Sequence, residues 1–322
     1  MEINKPLIYL DHNIYDSFTK NELLELKTLI LESFQVVYSN ENLKEIARSP
    51  EYSNRFLNVL SELNAYYMEI VLDKNWNITD RMRFYSTSPQ KAYNEHLKNT
   101  RDFGSINFDQ FLHKLLGGRD TSSFNEIIGE IQNSLDSMLD GLDTYNNIFK
   151  FGVSHLRKDA HHTFEQLKAQ IDKTIPNDIK FDATNALRQE VGTGPAFLNN
   201  IQGRGILYRI FEMIKQFPGI SEVQNLFLGI ENDEITRVVN PNKTIYQTIC
   251  GIYAFLEMLG YWSDRRLKKE QRFSAFQSDR LHVANAAFTE AIFTRDKPLA
   301  MKAGAIYEHL GIRTNIFYIY IR

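Results

Sequence analysis

The chain has 322 residues, 43% hydrophobic and 12% aromatic, with Lys+Arg 37 against Asp+Glu 40 and a formal net charge of −3. That length implies one large or two linked domains with ample material for a core, and the near-balanced charge excludes a generally basic protein that coats nucleic acid, leaving room for a local patch. The lone cysteine, Cys250, excludes a disulfide framework and a thiolate metal site.

The N-terminal MEINKPLIYLDHN has none of the basic, apolar and small-residue zones of a signal peptide. The most apolar window, 244–262, contains Gln247 and Glu257 and reads as a buried helix, so no membrane span is expected. Together with the single cysteine this places the expected setting in the reducing cytoplasm.

Taken in order, Leu7–Leu10 is a short apolar run ending at Asp11, His12 and Asn13, the pattern of a buried strand. A helix starts over 14–18, and 21–33 carries Leu23, Leu24, Leu26, Leu29 and Ile30 at helical spacing. A second strand is expected over 34–38. Ser39 then caps a helix that turns Leu43, Ile46 and Ala47 inward, places Glu41 and Glu45 one turn apart, and ends at Pro50. This β-α-β-α order calls for a parallel sheet.

From about 52 to 273 the texture becomes helical. A long helix is expected over 55–72, a strand or hairpin around 77–84, and helices over 108–116, 124–139, 145–173, 183–191, 196–216, 223–228 and 244–262, separated by Pro- and Gly-containing loops. The β/α pattern resumes at Ser274. Ser278 is read as the cap of a helix carrying Leu281, Val283, Ala284, Ala287 and Phe288, followed by a strand over 291–294, a helix over 297–310 stopped by Gly311, and a strand over 315–321. The expected organisation is an α/β domain built from 1–72 and 274–322, interrupted by a helical insertion over 73–273.

Four acids take equivalent places in this pattern. Asp11 follows the first strand, Glu45 lies in the helix after the second, Asp279 stands at a helix start, and Asp296 follows a late strand. In a parallel sheet these places share the carboxyl edge. Carboxylates gathered there repel one another unless a cation joins them. Oxygen ligands with open positions suit Mg²⁺ or Mn²⁺, which points to metal-dependent phosphodiester hydrolysis. Single acids after strands are also ordinary helix caps, and Glu41 can stand in for Glu45.

The segments YLDHNIYDSF, VVYSNENLKEI, SDRLHVANAA and IFTRDKPLAMKA together resemble the PIN-like nuclease family. The resemblance covers roughly residues 5–72 and 274–322. It implies a three-layer α/β/α fold in which Asp11, Glu45, Asp279 and Asp296 coordinate the metal and Asn13 and Thr294 orient ligands or water. It further implies endonucleolytic cleavage of single-stranded RNA, with a homodimer or a regulatory protein as further partners. Two readings stand beside it: a non-catalytic adaptor that binds RNA or protein through the helical insertion, and a nuclease acting on DNA.

Other features carry less. Arg265, Arg266, Lys268, Lys269 and Arg272 form a basic run that is either a solvated helix face or a contact for RNA backbone. Arg157 and His162 have the Arg-x4-His spacing of metal-independent HEPN-like ribonucleases, but the spacing is short and common and a polar helix face is the better reading; His155, His161 and His162 lack the flanking Cys or well-spaced further ligand of a metal site. His282, one turn past Asp279, faces either the acidic edge or a neighbouring helix. Asp16 reads as a surface acid. The glycines at 192, 194, 203 and 205 lack phosphate-loop spacing and read as turns. Tyr66, Tyr67, Trp76, Tyr85 and Tyr93 suit core packing or base stacking.

Overall fold

Ile8, Tyr9 and Leu10 are fully buried because their strand, β1 (Leu7–Leu10), lies inside the sheet with a parallel neighbour on each side. The coordinates are a computed structural model describing residues 5–74, 77–103, 109–145, 150–174, 179, 182–217, 243–264 and 266–320. From β1 the chain runs through α1 (His12–Thr19) and α2 (Leu24–Ser33) to β2 (Gln35–Ser39). It continues through α3 (Asn40–Ala47), a 3-10 turn at Pro50–Tyr52 and α4 (Ser53–Glu62) to β3 (Tyr66–Leu72), which pairs antiparallel with β4 (Ile78–Tyr85). Then come α5 (Pro89–Phe103), α6 (Asp109–Leu115), α7 (Phe124–Tyr145), α8 (Lys150–Thr174), α9 (Ala183–Val191), α10 (Pro195–Leu198), α11 (Ile206–Ile214) and α12 (Ile245–Leu259). The last elements are α13 (Glu270–Ala286), β5 (Ala291–Thr294), α14 (Lys297–Leu310) and β6 (Asn315–Tyr318).

Among the described residues the six strands form one sheet in the order β4-β3-β2-β1-β5-β6, parallel throughout except for β3 with β4. Ile8 pairs with Val36 on one side and with Ala291 on the other. The chain leaves β1 toward β2, but leaves β5 toward β6 on the opposite side. The strand order therefore reverses between β1 and β5, the point at whose carboxyl edge open α/β sheets place their ligand sites. No helix among the described residues is long and apolar enough to cross a membrane.

Several expectations need correction. The helix over 55–72 stops at Glu62: Asn64 turns the chain with φ 48°, and the β-branched and aromatic YYMEIVL that follows pairs with β2 as a strand. The helix over 196–216 is two, α10 and α11, separated by a turn in which Gly203 and Gly205 have positive φ. The expected helix over 223–228 lies outside the described residues. Helix α13 begins at Glu270 rather than Ser278, so Asp279 sits within a helix and not at its start.

The chain also divides differently from the boundaries at 72 and 273. One compact unit comprises Met1–His96, Val191–Ser263 and Ala275–Arg322, and the other Leu97–Glu190 and Asp264–Ser274. The strand-bearing unit therefore includes β4 and α10–α12. The second unit has its own core, with Phe124, Ile127, Ile128 and Ile131 of α7 packed on Phe164 and Ile171 of α8.

Helix α12 is apolar nearly all round because it is buried, and its ends are fixed chemically. Thr244 and Gln247 form a reciprocal capping box at its start, and Gly260 at φ 101° closes its end. Its one charged side chain, Glu257, is 1% exposed and pairs with Lys302 of α14, 3% exposed, whose ammonium also lies 4.5 Å over the Tyr253 ring. Each charge makes the burial of the other tolerable.

Candidate functional site

The reversal between β1 and β5 brings together four polar side chains that are far apart in sequence. Asp11 is the first residue after β1, and its N–H donates to the Phe293 carbonyl at 3.0 Å, which fixes it against β5. One carboxylate oxygen of Asp11 accepts the His12 N–H at 2.7 Å, capping α1. The other accepts the Thr294 hydroxyl at 2.7 Å and the Asn13 side-chain amide at 2.5 Å. Thr294 Oγ1 in turn accepts the Asp296 N–H at 2.9 Å, and Asn13 Oδ1 accepts the Arg295 N–H at 2.9 Å. Asp296 caps α14 by accepting the Leu299 N–H at 2.8 Å. Thr294 thus bridges the two strand-end acids, and Asn13 holds the β5–α14 turn.

A second group lies between α3 and α13. Glu41 accepts the Ser278 hydroxyl at 2.6 Å, and one turn later on both helices Glu45 meets His282 Nε2 at 2.8 Å. Ser278 therefore bridges helices instead of capping one. His282 is fully buried, with its Nδ1 2.8 Å from the Tyr9 hydroxyl. With both ring nitrogens protonated, His282 donates to Glu45 and to Tyr9, and Tyr9 donates to Ser39 Oγ at 2.8 Å. Asn285 Nδ2 also donates to Ser39, at 3.2 Å. The site that sequence spacing offered to either Glu41 or Glu45 is thus occupied by both, each with its own partner on α13.

The charges divide into two regimes. Burial pushes the Asp11 carboxyl up to about 6 from its ordinary 3.8; His282 and the Thr294 hydrogen bond oppose this while Glu45 and Asp296 add to it. Burial also lifts Asp279 well above the ordinary carboxylate range, reinforced by Asp296 and Asp11. Burial alone would raise Glu45 too, but His282, then His12 and Arg48, overcome it and hold that carboxyl down at about 2. Burial would lower His282, but Glu45 and then Asp11 lift it to about 9. One part of the edge is a satisfied ion pair; in the other, burial favours the neutral forms of Asp11 and Asp279.

As the chain stands, no group of three or more His, Cys, Asp or Glu among the described residues is gathered closely enough to hold an ion. His282 Nε2 lies 4.0 Å from Asp11 and 2.8 Å from Glu45, so the imidazolium is already the counter-charge of Glu45. Three aspartates nevertheless lie within electrostatic reach: Asp279 feels the charges of Asp296 and Asp11, and Asp11 feels that of Asp296. Capping α1 contributes only ~0.5–2 kcal/mol. Holding Asp11 ionised above its folded value costs about 3 kcal/mol at ~1.4 kcal/mol per unit. Asparagine or serine would cap as well without that cost, so capping alone does not account for an acid at position 11.

Sequence spacing gives no sign of Tyr253, because α12 reads simply as apolar, nor of Lys302, whose partner Glu257 lies on that helix. Tyr253 is 1% exposed, and burial, then the charges of Asp279, Glu257, Asp296 and Asp11, hold its hydroxyl firmly protonated. The partner of His282 was equally hidden, although the four-residue spacing of Glu41 and Glu45 matches that of Ser278 and His282.

The remaining candidates are more dispersed. Of the basic run, Arg265 lies outside the described residues, Lys268 pairs with Asp182 at 2.8 Å, Arg272 lies 3.9 Å from Asp264, and Arg266 and Lys269 are exposed. Arg157 pairs with Asp140 at 2.7 Å, His161 with Asp136 at 3.0 Å, and His162 bonds Gln166 at 2.9 Å. Arg157 and His161 thus tie α8 to α7, as a polar helix face does. Tyr67 packs edge-on between Tyr38 and Tyr85, Tyr93 is buried, and Trp76 lies outside the described residues. No family model, curated protein or solved structure matches the chain.

Proposed function

We propose that the chain is a PIN-like, three-layer α/β/α endoribonuclease that uses Mg²⁺ or Mn²⁺ to hydrolyse single-stranded RNA. The observation that carries this reading is the meeting of Asp11, Thr294, Asn13 and Asp296 at the crevice between β1 and β5, with Asp279 in the same field. Asp11, Asp279 and Asp296 would hold the ion, and Glu45 would join them or balance His282. When bound, the ion supplies Lewis-acid stabilisation of the phosphate and activation of water.

The chain's own groups do the positioning. Asn13 and Thr294 fix one Asp11 oxygen and leave the rotation of that carboxylate little freedom. The Thr294 bridge sets the spacing of Asp11 and Asp296, and His282 restrains Glu45. Tyr253, kept protonated by burial and then by the nearby acids, offers a donor rather than a further negative charge.

The test is cleavage of labelled single-stranded RNA beside single-stranded and branched DNA. Cleavage confined to RNA, dependent on added Mg²⁺ or Mn²⁺ and abolished by excess EDTA, is the expected result. RNA binding without cleavage at any divalent-ion concentration would instead favour the adaptor, and preferential cutting of DNA would reassign the substrate.

A further inference from the structure

Against Lys297, in the first turn of α14, a tryptophan is held in a backbone conformation that bulky residues rarely adopt. Trp262 has φ 48°, in the left-handed region. A hydrogen bond holds it there, and the turn that leads into it is seated close against α10. The Trp262 N–H donates to Asn199 Oδ1 at 2.7 Å, at the end of α10. Gly260, at φ 101°, lets α10 approach so closely that a Cβ at that position would stand 2.8 Å from Pro195 Cδ. The half-buried indole meets the Lys297 ammonium, 4.8 Å from its ring centroid. Lys297 is exposed and immediately follows Asp296, so their Cα atoms are about 3.8 Å apart.

We infer that Trp262 and Lys297 form a nucleotide subsite at the rim of the acidic crevice, with the indole stacking an unpaired base and the ammonium taking the phosphate next to it. The inference rests on the phosphodiesterase reading for its substrate class and goes beyond it in naming what holds the strand. An indole offers every base the same π-face, so the subsite is tolerant of sequence. It requires a base free of its partner, which excludes a continuous duplex. An exposed lysine on a four-carbon stem can leave the ring for a phosphate oxygen while the indole stays fixed by its backbone. The strain at Trp262 then has a use, because it pre-positions the platform before RNA arrives.

The chain has two tryptophans, so a Trp76→Phe background isolates the fluorescence of Trp262. A single-stranded oligoribonucleotide should quench that emission, and a blunt duplex should not. In steady-state cleavage, Trp262→Ala should raise KM by roughly tenfold with kcat within about twofold, whereas Trp262→Phe keeps most of the wild-type KM. If Trp262→Ala does not fold by circular dichroism, Lys297→Ala carries the test, with a raised KM and a weaker salt dependence expected. An unchanged KM in folded Trp262→Ala, or in Lys297→Ala where that variant carries the test, overturns the subsite and leaves the nuclease reading intact. Quenching by single strands without any cleavage supports the subsite and overturns the nuclease reading. Absence of both quenching and cleavage overturns the subsite.

Discussion

Asp279→Asn is expected to lower RNA cleavage by about 100-fold or more while raising the unfolding temperature, measured in EDTA, by a few degrees. Side chains that merely orient a metal ligand typically matter ~10–100-fold, and a ligand itself should matter at least as much. The stability change follows from the raised carboxyl of Asp279, caused by burial and then by Asp296 and Asp11. An acid whose folded pKa is raised is at its most stabilising below its unfolded value of 3.8 and loses that contribution as pH rises toward the folded value. Near pH 7 the wild-type chain therefore bears a penalty that asparagine removes; near pH 4 the two proteins should unfold at almost the same temperature. Thermal scans at both pH values, paired with cleavage assays, check the prediction. A variant that cuts RNA at the wild-type rate, or that is less stable near pH 7, would remove Asp279 from the site.

His282→Leu should cost about 3–5 kcal/mol near pH 6, because it leaves the largely buried Glu45 without the imidazolium at 2.8 Å. The pH dependence distinguishes this from a packing defect. Glu45 falls from 4.5 to about 2 in the folded chain, so its contribution is present above about 4.5 and lost as pH falls through about 2. His282 rises from 6.5 to about 9, so its contribution is full below about 6.5 and lost as pH rises through about 9. The gap between wild type and variant in urea unfolding should be widest between roughly pH 4.5 and 6.5 and should narrow toward pH 9. Adding Glu45→Gln to His282→Leu should recover part of the loss, since the stranded charge is then gone. A loss that stays constant from pH 5 to 9 would show that His282 acts through its shape alone.

The elements nearest the site were the most legible in the sequence. Short apolar runs ending at Asp11 and Thr294, bounded by polar residues, read as buried parallel strands and are so, and Ser39, Asp296 and Gly311 mark helix ends by local chemistry. Tyr66–Leu72 was misread because aromatic and β-branched residues after a helical run keep its periodicity for another turn, and the stop at Asn64 depends on a left-handed residue that spacing does not show. Ser278 has the chemistry of a cap and so suggests a later start for α13 than Glu270, although its hydroxyl is used by Glu41 across a helix interface. Spacing also placed four acids at one edge without saying how they share it. Only the hydrogen bonds between α3 and α13 reveal that Glu45 answers to His282, whereas Asp279 is raised by burial and then by Asp296 and Asp11.

A crystal of the chain soaked in Mn²⁺ and measured for anomalous scattering tests the metal site most directly. The expected result is a peak at the carboxyl ends of β1 and β5, within roughly 2–2.5 Å of oxygens from Asp11 and at least one of Asp279 and Asp296. A saturating soak that leaves no peak there, with the aspartates still turned to their hydrogen-bond partners, would contradict it.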